Sequence, residues 1–287
     1  MSCGSILSTT LLFILGVFLE EVFGNKPNPV ISFADYSLSV GFVSPIRNLS
    51  FIINEGESVA IIGPTGSGKS LLLSVIAQLI WEIDNKFLLN SFKQTGEIKI
   101  LGAVFSDKKP NSNVLKLIYS QVALVSEKSA WLPVSIAENF AISQNLVGAK
   151  EILSFHELID NLPISQHNKA MIASLAELLP SQVELPFLQQ LAIIRALIRK
   201  PKVFLLDDAF LRMDPVLLKQ TENLILNMST NTTLVWATND LYQASRVTDW
   251  TLFMQHGTAV EYTQTAQFFT NPTTQAAENF IAGRDDV

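Results

Sequence analysis

The densest chemistry in the chain lies in eight residues, Gly63-Pro64-Thr65-Gly66-Ser67-Gly68-Lys69-Ser70. They satisfy the phosphate-loop pattern G-x-x-x-x-G-K-[ST] at every fixed position. Glycines at such spacing let backbone N–H groups turn inward around phosphate oxygens, and a following helix adds its positive end. Lys69 has the reach for β- and γ-phosphates, and Ser70 offers a hydroxyl to Mg²⁺. These eight residues are therefore the expected ATP-binding residues. A second polar group, Asp207-Asp208, ends the apolar run Val203-Phe204-Leu205-Leu206. Downstream of a complete phosphate loop, Asp207 is the expected partner of Ser70 in holding Mg²⁺.

These residues need rigid elements to position them. Ser58-Val59-Ala60-Ile61-Ile62 reads as a buried strand entering the loop, and Leu71 through Ile80 as the helix leaving it. Val122-Ala123-Leu124-Val125, Val203 to Leu206 and Thr233-Leu234-Val235-Trp236-Ala237 are three more buried strands. Before the loop, residues 30–57 are strand-rich, with a turn at Asn54-Glu55-Gly56-Glu57, and Gly96 to Ile100 is a further strand leading into a polar loop from Asp107 to Asn113. Pro186 to Arg199 is the clearest later helix, with proline in its first turn and Lys200-Pro201 as the stop. Trp250 to Met254 and Thr258 to Tyr262 form a hairpin around His256-Gly257. Between Ser135 and Leu179 the periodicity is helical.

The expected fold is thus α/β: a phosphate-loop core with an antiparallel β subdomain and an inserted helical subdomain. The boundaries are 1–29 for an apolar N-terminal extension, 30–126 for the first part of the core, 127–185 for the helical insertion and 186–287 for the second part. In the extension, the apolar run Ile6–Leu19 is short for a membrane span and lacks a basic leader.

The 287 residues carry a net charge of −6 and no basic block, which argues against nucleic acid as a partner. One cysteine, Cys3, excludes an internal disulfide. His156, His167 and His256 lack metal-ligand spacing.

Over residues 30–287 the chain resembles the ATP-binding subunits of ABC transporters, and more narrowly those of bacterial phosphate importers. The resemblance rests on Leu191 to Leu197, on Met213-Asp214-Pro215, on Gln243 to Asp249, and on the closing segments Gln267 to Pro272 and Ile281 to Arg284. It implies an ATP-binding subunit peripheral to the cytoplasmic face of the inner membrane. Such a subunit pairs with a second one and docks on membrane permeases through the helical subdomain. It also places the family's catalytic glutamate at Asp208, its switch histidine at Asn239, its Mg²⁺-sensing glutamine at Glu127 and its signature at Val183-Glu184-Leu185-Pro186-Phe187. The aromatic that stacks on adenine falls near Ser39-Val40, with Tyr36 and Phe42 the nearest rings. With only the loop and Asp207 fully kept, two readings arise: a phosphate-import subunit with weak hydrolysis, or a catalytically degenerate regulatory ATP-binding protein.

Overall fold

The computed structural model describes residues 28–82, 92–105, 107, 109–146, 152–210 and 212–284. The apolar run 6–19 lies outside the described residues. The first strands are long: β1 (Pro29–Val40) and β2 (Val43–Asn54) pair antiparallel, and β4 (Phe92–Ile100) and β5 (Ala103–Phe105) extend them into a sheet of order β2-β1-β4-β5. β1 alternates irregularly because its ladders shift register around Asp35, which has φ +48°. Such shifts push side chains off strict two-residue alternation.

The second sheet has order β10-β9-β3-β8-β7-β6. It comprises β3 (Ser58–Ile62), β6 (Val122–Ser126), β7 (Val203–Asp207), β8 (Thr233–Ala237), β9 (Trp250–Gln255) and the antiparallel edge strand β10 (Thr258–Gln264). The inner strands run parallel. Their side chains are buried almost without interruption, as parallel strands covered on both faces require. Parallel sheets gather ligands at the carboxyl ends of their strands. Here those ends carry Ile62, Ser126, Asp207 and Ala237.

Helix α1 (Lys69–Ile76) follows β3 and buries Leu72, Leu73, Val75 and Ile76 between the two sheets. The expected single helix to Ile80 is interrupted: Gln78 takes φ +56°, and Leu79–Glu82 continue as a 3₁₀ turn. Helix α2 (Ser112–Gln121) begins inside the expected polar loop, capped by the Asn111 side chain on the Asn113 and Val114 N–H groups. Three helices follow, α3 (Ile136–Leu146), α4 (Phe155–Asp160) and α5 (Gln166–Ala173). Phe140, Phe155, Leu158 and Ile172 form a core of their own, closed by Leu191 and Ile194 of α6 (Leu185–Leu197) and Leu224 of α7 (Pro215–Met228). Asp214 caps α7, with Pro215 at its first turn, and Asp240 caps α8 (Leu241–Val247). The last two helices, α9 (Thr265–Thr270) and α10 (Gln275–Ile281), place Phe268 and Ala277 on the outer face of β3 and β9. Among the described residues, no helix is long and apolar enough to cross a membrane.

Candidate functional site

The phosphate-loop segment sits where β3 runs into α1. Gly63 adopts φ +149°, and a Cβ there would lie 1.9 Å from the Met254 carbonyl oxygen of β9. Gly66 and Gly68 are also left-handed, at φ +82° and +103°. The turn is tied by Ser67 N–H to the Pro64 carbonyl at 3.1 Å, and Gly257 N–H of the hairpin donates to the Ser67 carbonyl at 3.0 Å. The Ser67 hydroxyl is buried and has no partner among the described residues. Lys69 is 7% exposed and donates to the Gly63 and Pro64 carbonyls at 2.6 and 3.0 Å. Its ammonium group thus closes the loop from inside. Ser70 donates to the Asp207 carboxylate at 2.9 Å. The loop and the strand-end aspartate, 137 residues apart in the chain, are therefore in direct contact.

Acidic groups crowd this contact. Burial pushes the Asp207 carboxyl up, opposed by its bond from Ser70 and raised again by Asp208. Burial also pushes Asp208 up, against the attraction of Lys69 and with the repulsion of Glu127. Burial pushes the Lys69 ammonium down, and Asp208 and Asp207 counter it. Asp208 itself is left-handed, with φ +45°, and its N–H donates to the Ala237 carbonyl at 3.1 Å. Beside it opens a cavity of about 470 Å³ lined by Asp208, Arg212, Thr238, Asn239 and Asp240 among others. Glu127 and Leu185 join Asp208 and Arg212 around a second, much smaller one. Arg212 carries no motif position, and nothing in its sequence surroundings singled it out; it reaches the site because the turn after β7 brings it there.

Comparison with known proteins decides what this arrangement belongs to. Residues 46–211 match the family model for "ABC transporter". The chain belongs to the ABC transporter family. It is 30% identical over 241 residues to a "Phosphate import ATP-binding protein PstB" of Mycoplasma mycoides subsp. mycoides SC, covering 83% of this chain and 98% of that one. It is also 30% identical over 266 residues to "Phosphate import ATP-binding protein PstB 2" of Lactobacillus johnsonii, covering 89% and 98%. A solved "ATP binding subunit of ABC transporter" superposes with TM-score 0.68 at 18% identity, covering 88% of this chain and 98% of that one. A dimeric ATP-binding cassette bound to ADP and Pi gives TM-score 0.64 at 21%, covering 82% and 98%.

Within this ABC fold, the two rings suggested for adenine stacking separate cleanly. Tyr36 is excluded: it is 1% exposed, and its hydroxyl donates to the buried Gln94 Oε1 at 2.8 Å. Phe42, at the β1–β2 turn, is fully exposed. In the segment where the signature was expected, Glu184 is the N-cap residue of α6 and makes no capping bond with its side chain, while Leu185 is exposed. Pro186, in the first turn of α6, supplies no N–H there. Glu127 follows β6 directly, and its N–H donates to the Asp207 carbonyl at 3.1 Å.

Proposed function

We propose that the chain is the ATP-binding subunit of an ABC importer, with phosphate as its solute. The contact that carries this reading is the closed loop of Gly63 to Ser70 with Ser70 against Asp207. Gly63, Pro64, Thr65, Gly66, Ser67, Gly68, Lys69 and Ser70 would hold the ATP phosphates. Mg²⁺ would supply charge neutralisation between phosphate oxygens, held by Ser70 and Asp207. A hydroxyl and a carboxylate are the hard oxygen donors that Mg²⁺ prefers. The names of the relatives support phosphate as the solute.

Asp208 is the candidate base for the attacking water. It is shorter than glutamate by one carbon–carbon bond, roughly 1.5 Å. A positioned base contributes ~10²–10⁴ in rate, and a preorganised donor to developing charge ~10²–10³. With Asp208 short and Leu185-Pro186 in the signature, hydrolysis is slow and ATP capture is the better preserved half of the cycle. Residues 30–126 and 186–287 are assigned to the core and 127–185 to a helical subdomain that docks on permease subunits, with a second ATP-binding subunit alongside. On this reading the chain works at the cytoplasmic face of the membrane. Nothing among the relatives supports a purely regulatory chain.

Two measurements test the reading. Calorimetry with Mg²⁺ and ATP should show binding that Lys69→Ala abolishes. Deleting the chain, in cells without an intact paralogue, should lower phosphate uptake; unchanged uptake overturns the importer assignment.

A further inference from the structure

At the end of the six-stranded sheet opposite the phosphate loop lies a groove of about 690 Å³. Its walls are the ends of α6 and α7, the α4 segment, and the entries to β7 and β8. Leu153, Leu158, Leu162, Leu197, Ile198 and Met228 make it largely apolar. Two exposed cations, Lys200 and Lys202, also line it, and among the described residues no carboxylate does. Neither lysine has an ion-pair partner among the described residues, whose ion pairs are Lys99–Glu97 and Arg246–Glu222. An apolar trough with two uncompensated cations suits an apolar segment that ends in acid.

The chain itself carries such a segment. Residues 6–19 are apolar apart from Ser8, Thr9, Thr10 and Gly16, hold no charge, and are followed at once by Glu20 and Glu21. The described chain starts at Asn28, and hydrogen bonds tie that start to the groove. Glu55 N–H donates to the Asn28 carbonyl at 2.9 Å, Gly56 N–H to the Thr233 hydroxyl at 2.9 Å, and Thr233 N–H to the carbonyl of Lys202 at 2.9 Å. Thr232, the neighbour of Thr233, lines the groove. Steps between bonded or paired residues are about 4–6 Å, which puts Asn28 within about 25 Å of Thr232. From Leu19 to Asn28 the chain can span up to about 30 Å. The rival seat for an apolar run is a membrane surface, where Lys and Arg draw a segment to anionic lipid. Residues 1–27 oppose that, with Glu20 and Glu21 against Lys26 alone.

We propose that residues 6–19 of this chain dock in this groove, with Glu20 and Glu21 facing Lys200 and Lys202. Leu158 and Leu162 belong to the core beneath α3 to α5, and Leu197 to the core on the sheet, so the docked segment clamps the two together. The docking needs neither nucleotide nor permease.

The test uses the full chain and its one cysteine, Cys3. A second cysteine is placed in the groove lining, as Asn161→Cys or Asn231→Cys, and copper phenanthroline oxidises the two thiols to a disulfide. Ser44→Cys, exposed at the far end of β2, is the control, because a free segment would meet it as readily. A disulfide within one chain should form faster with at least one groove cysteine than with the control. Phe13→Asp should weaken docking about tenfold or more, the scale of burying one phenylalanine, and slow that crosslink. Lys200→Glu with Lys202→Glu should slow it about threefold, and adding Glu20→Lys with Glu21→Lys should restore it. Crosslinking no faster than the control, a rate untouched by Phe13→Asp, or disulfides mainly between two chains overturns the proposal. Sedimentation with phosphatidylcholine vesicles, lost in Phe13→Asp, would overturn it in favour of a membrane seat.

Discussion

Replacing Gly63 with alanine tests whether the loop geometry is set by the sheet beneath it. The new Cβ would stand 1.9 Å from the Met254 carbonyl oxygen, and that oxygen must retreat by about 1.5 Å to reach an ordinary 3.4 Å contact. The obstacle is backbone inside β9, whose Met254 side chain is fully buried, so it cannot swing away. Overpacking of this kind costs ~1–3 kcal/mol. A non-glycine residue held at φ +149° adds ~1–3 kcal/mol of strain. Gly63→Ala should therefore lose about 2–6 kcal/mol out of a total of ~5–15 kcal/mol. Gly66→Ala is the control, because nothing lies within 4 Å of its added Cβ. It keeps only the left-handed strain, ~1–2 kcal/mol. Urea unfolding of both variants without nucleotide, followed by two spectroscopic probes, gives the midpoints. If Gly63→Ala unfolds within about 0.5 kcal/mol of the parent, or Gly66→Ala loses more, the claim that β9 fixes the loop is wrong.

Three further outcomes follow from the same site. Because burial raises the Asp207 and Asp208 carboxyls, the native state without nucleotide holds more protons than the unfolded chain between the ordinary carboxylate range near ~4 and their raised values. Stability should therefore fall as pH rises through that window. Asp207→Asn should flatten the fall, read as unfolding midpoint against pH. Tyr36→Phe should cost ~1–3 kcal/mol by leaving Gln94 unpaired and leave ATP affinity alone, whereas Phe42→Ala should weaken ATP binding at unchanged stability. Asp208→Glu should raise single-turnover hydrolysis about tenfold or more, within the range of a restored base; an unchanged rate with ATP still bound would remove Asp208 from the mechanism.

The sequence disclosed most where one residue pattern had one physical meaning. The run Val203 to Leu206 could only be a buried strand, and the glycine spacing of 63–68 demanded left-handed backbone. It disclosed least where a distant partner decided the outcome. Tyr36 looked available until Gln94, 58 residues on, took its hydroxyl. Helix α2 buries only Leu115 and Ile118, too few apolar positions to show a period between polar neighbours. Lys200 read as the stop of an apolar helix, and only the fold sets it with Lys202 in the lining of one groove. Arg212 reaches Asp208 and Asn239 solely through the turn after β7.

Charge around the loop makes one last demand. Lys69 is the cation inside it, already engaged with two carbonyls, while Asp207, Asp208 and Glu127 bring negative charge to the same corner. A triphosphate entering alone meets more repulsion than attraction. Two unit charges a few ångströms apart cost about 1–4 kcal/mol between bulk water and an effective dielectric near 20. Facing two or more carboxylates, ATP should lose about 100-fold or more in affinity when Mg²⁺ is removed with chelator. Asp207→Asn and Glu127→Gln should each recover part of that loss in chelator, since each deletes a repelling charge, although Asp207→Asn also deletes the proposed metal ligand. The two variants then differ in sign when Mg²⁺ is present: Asp207→Asn weakens ATP binding and Glu127→Gln does not. Equal ATP affinity with and without Mg²⁺ would show that the carboxylates do not face the phosphates, and the contact between Ser70 and Asp207 would then be structural.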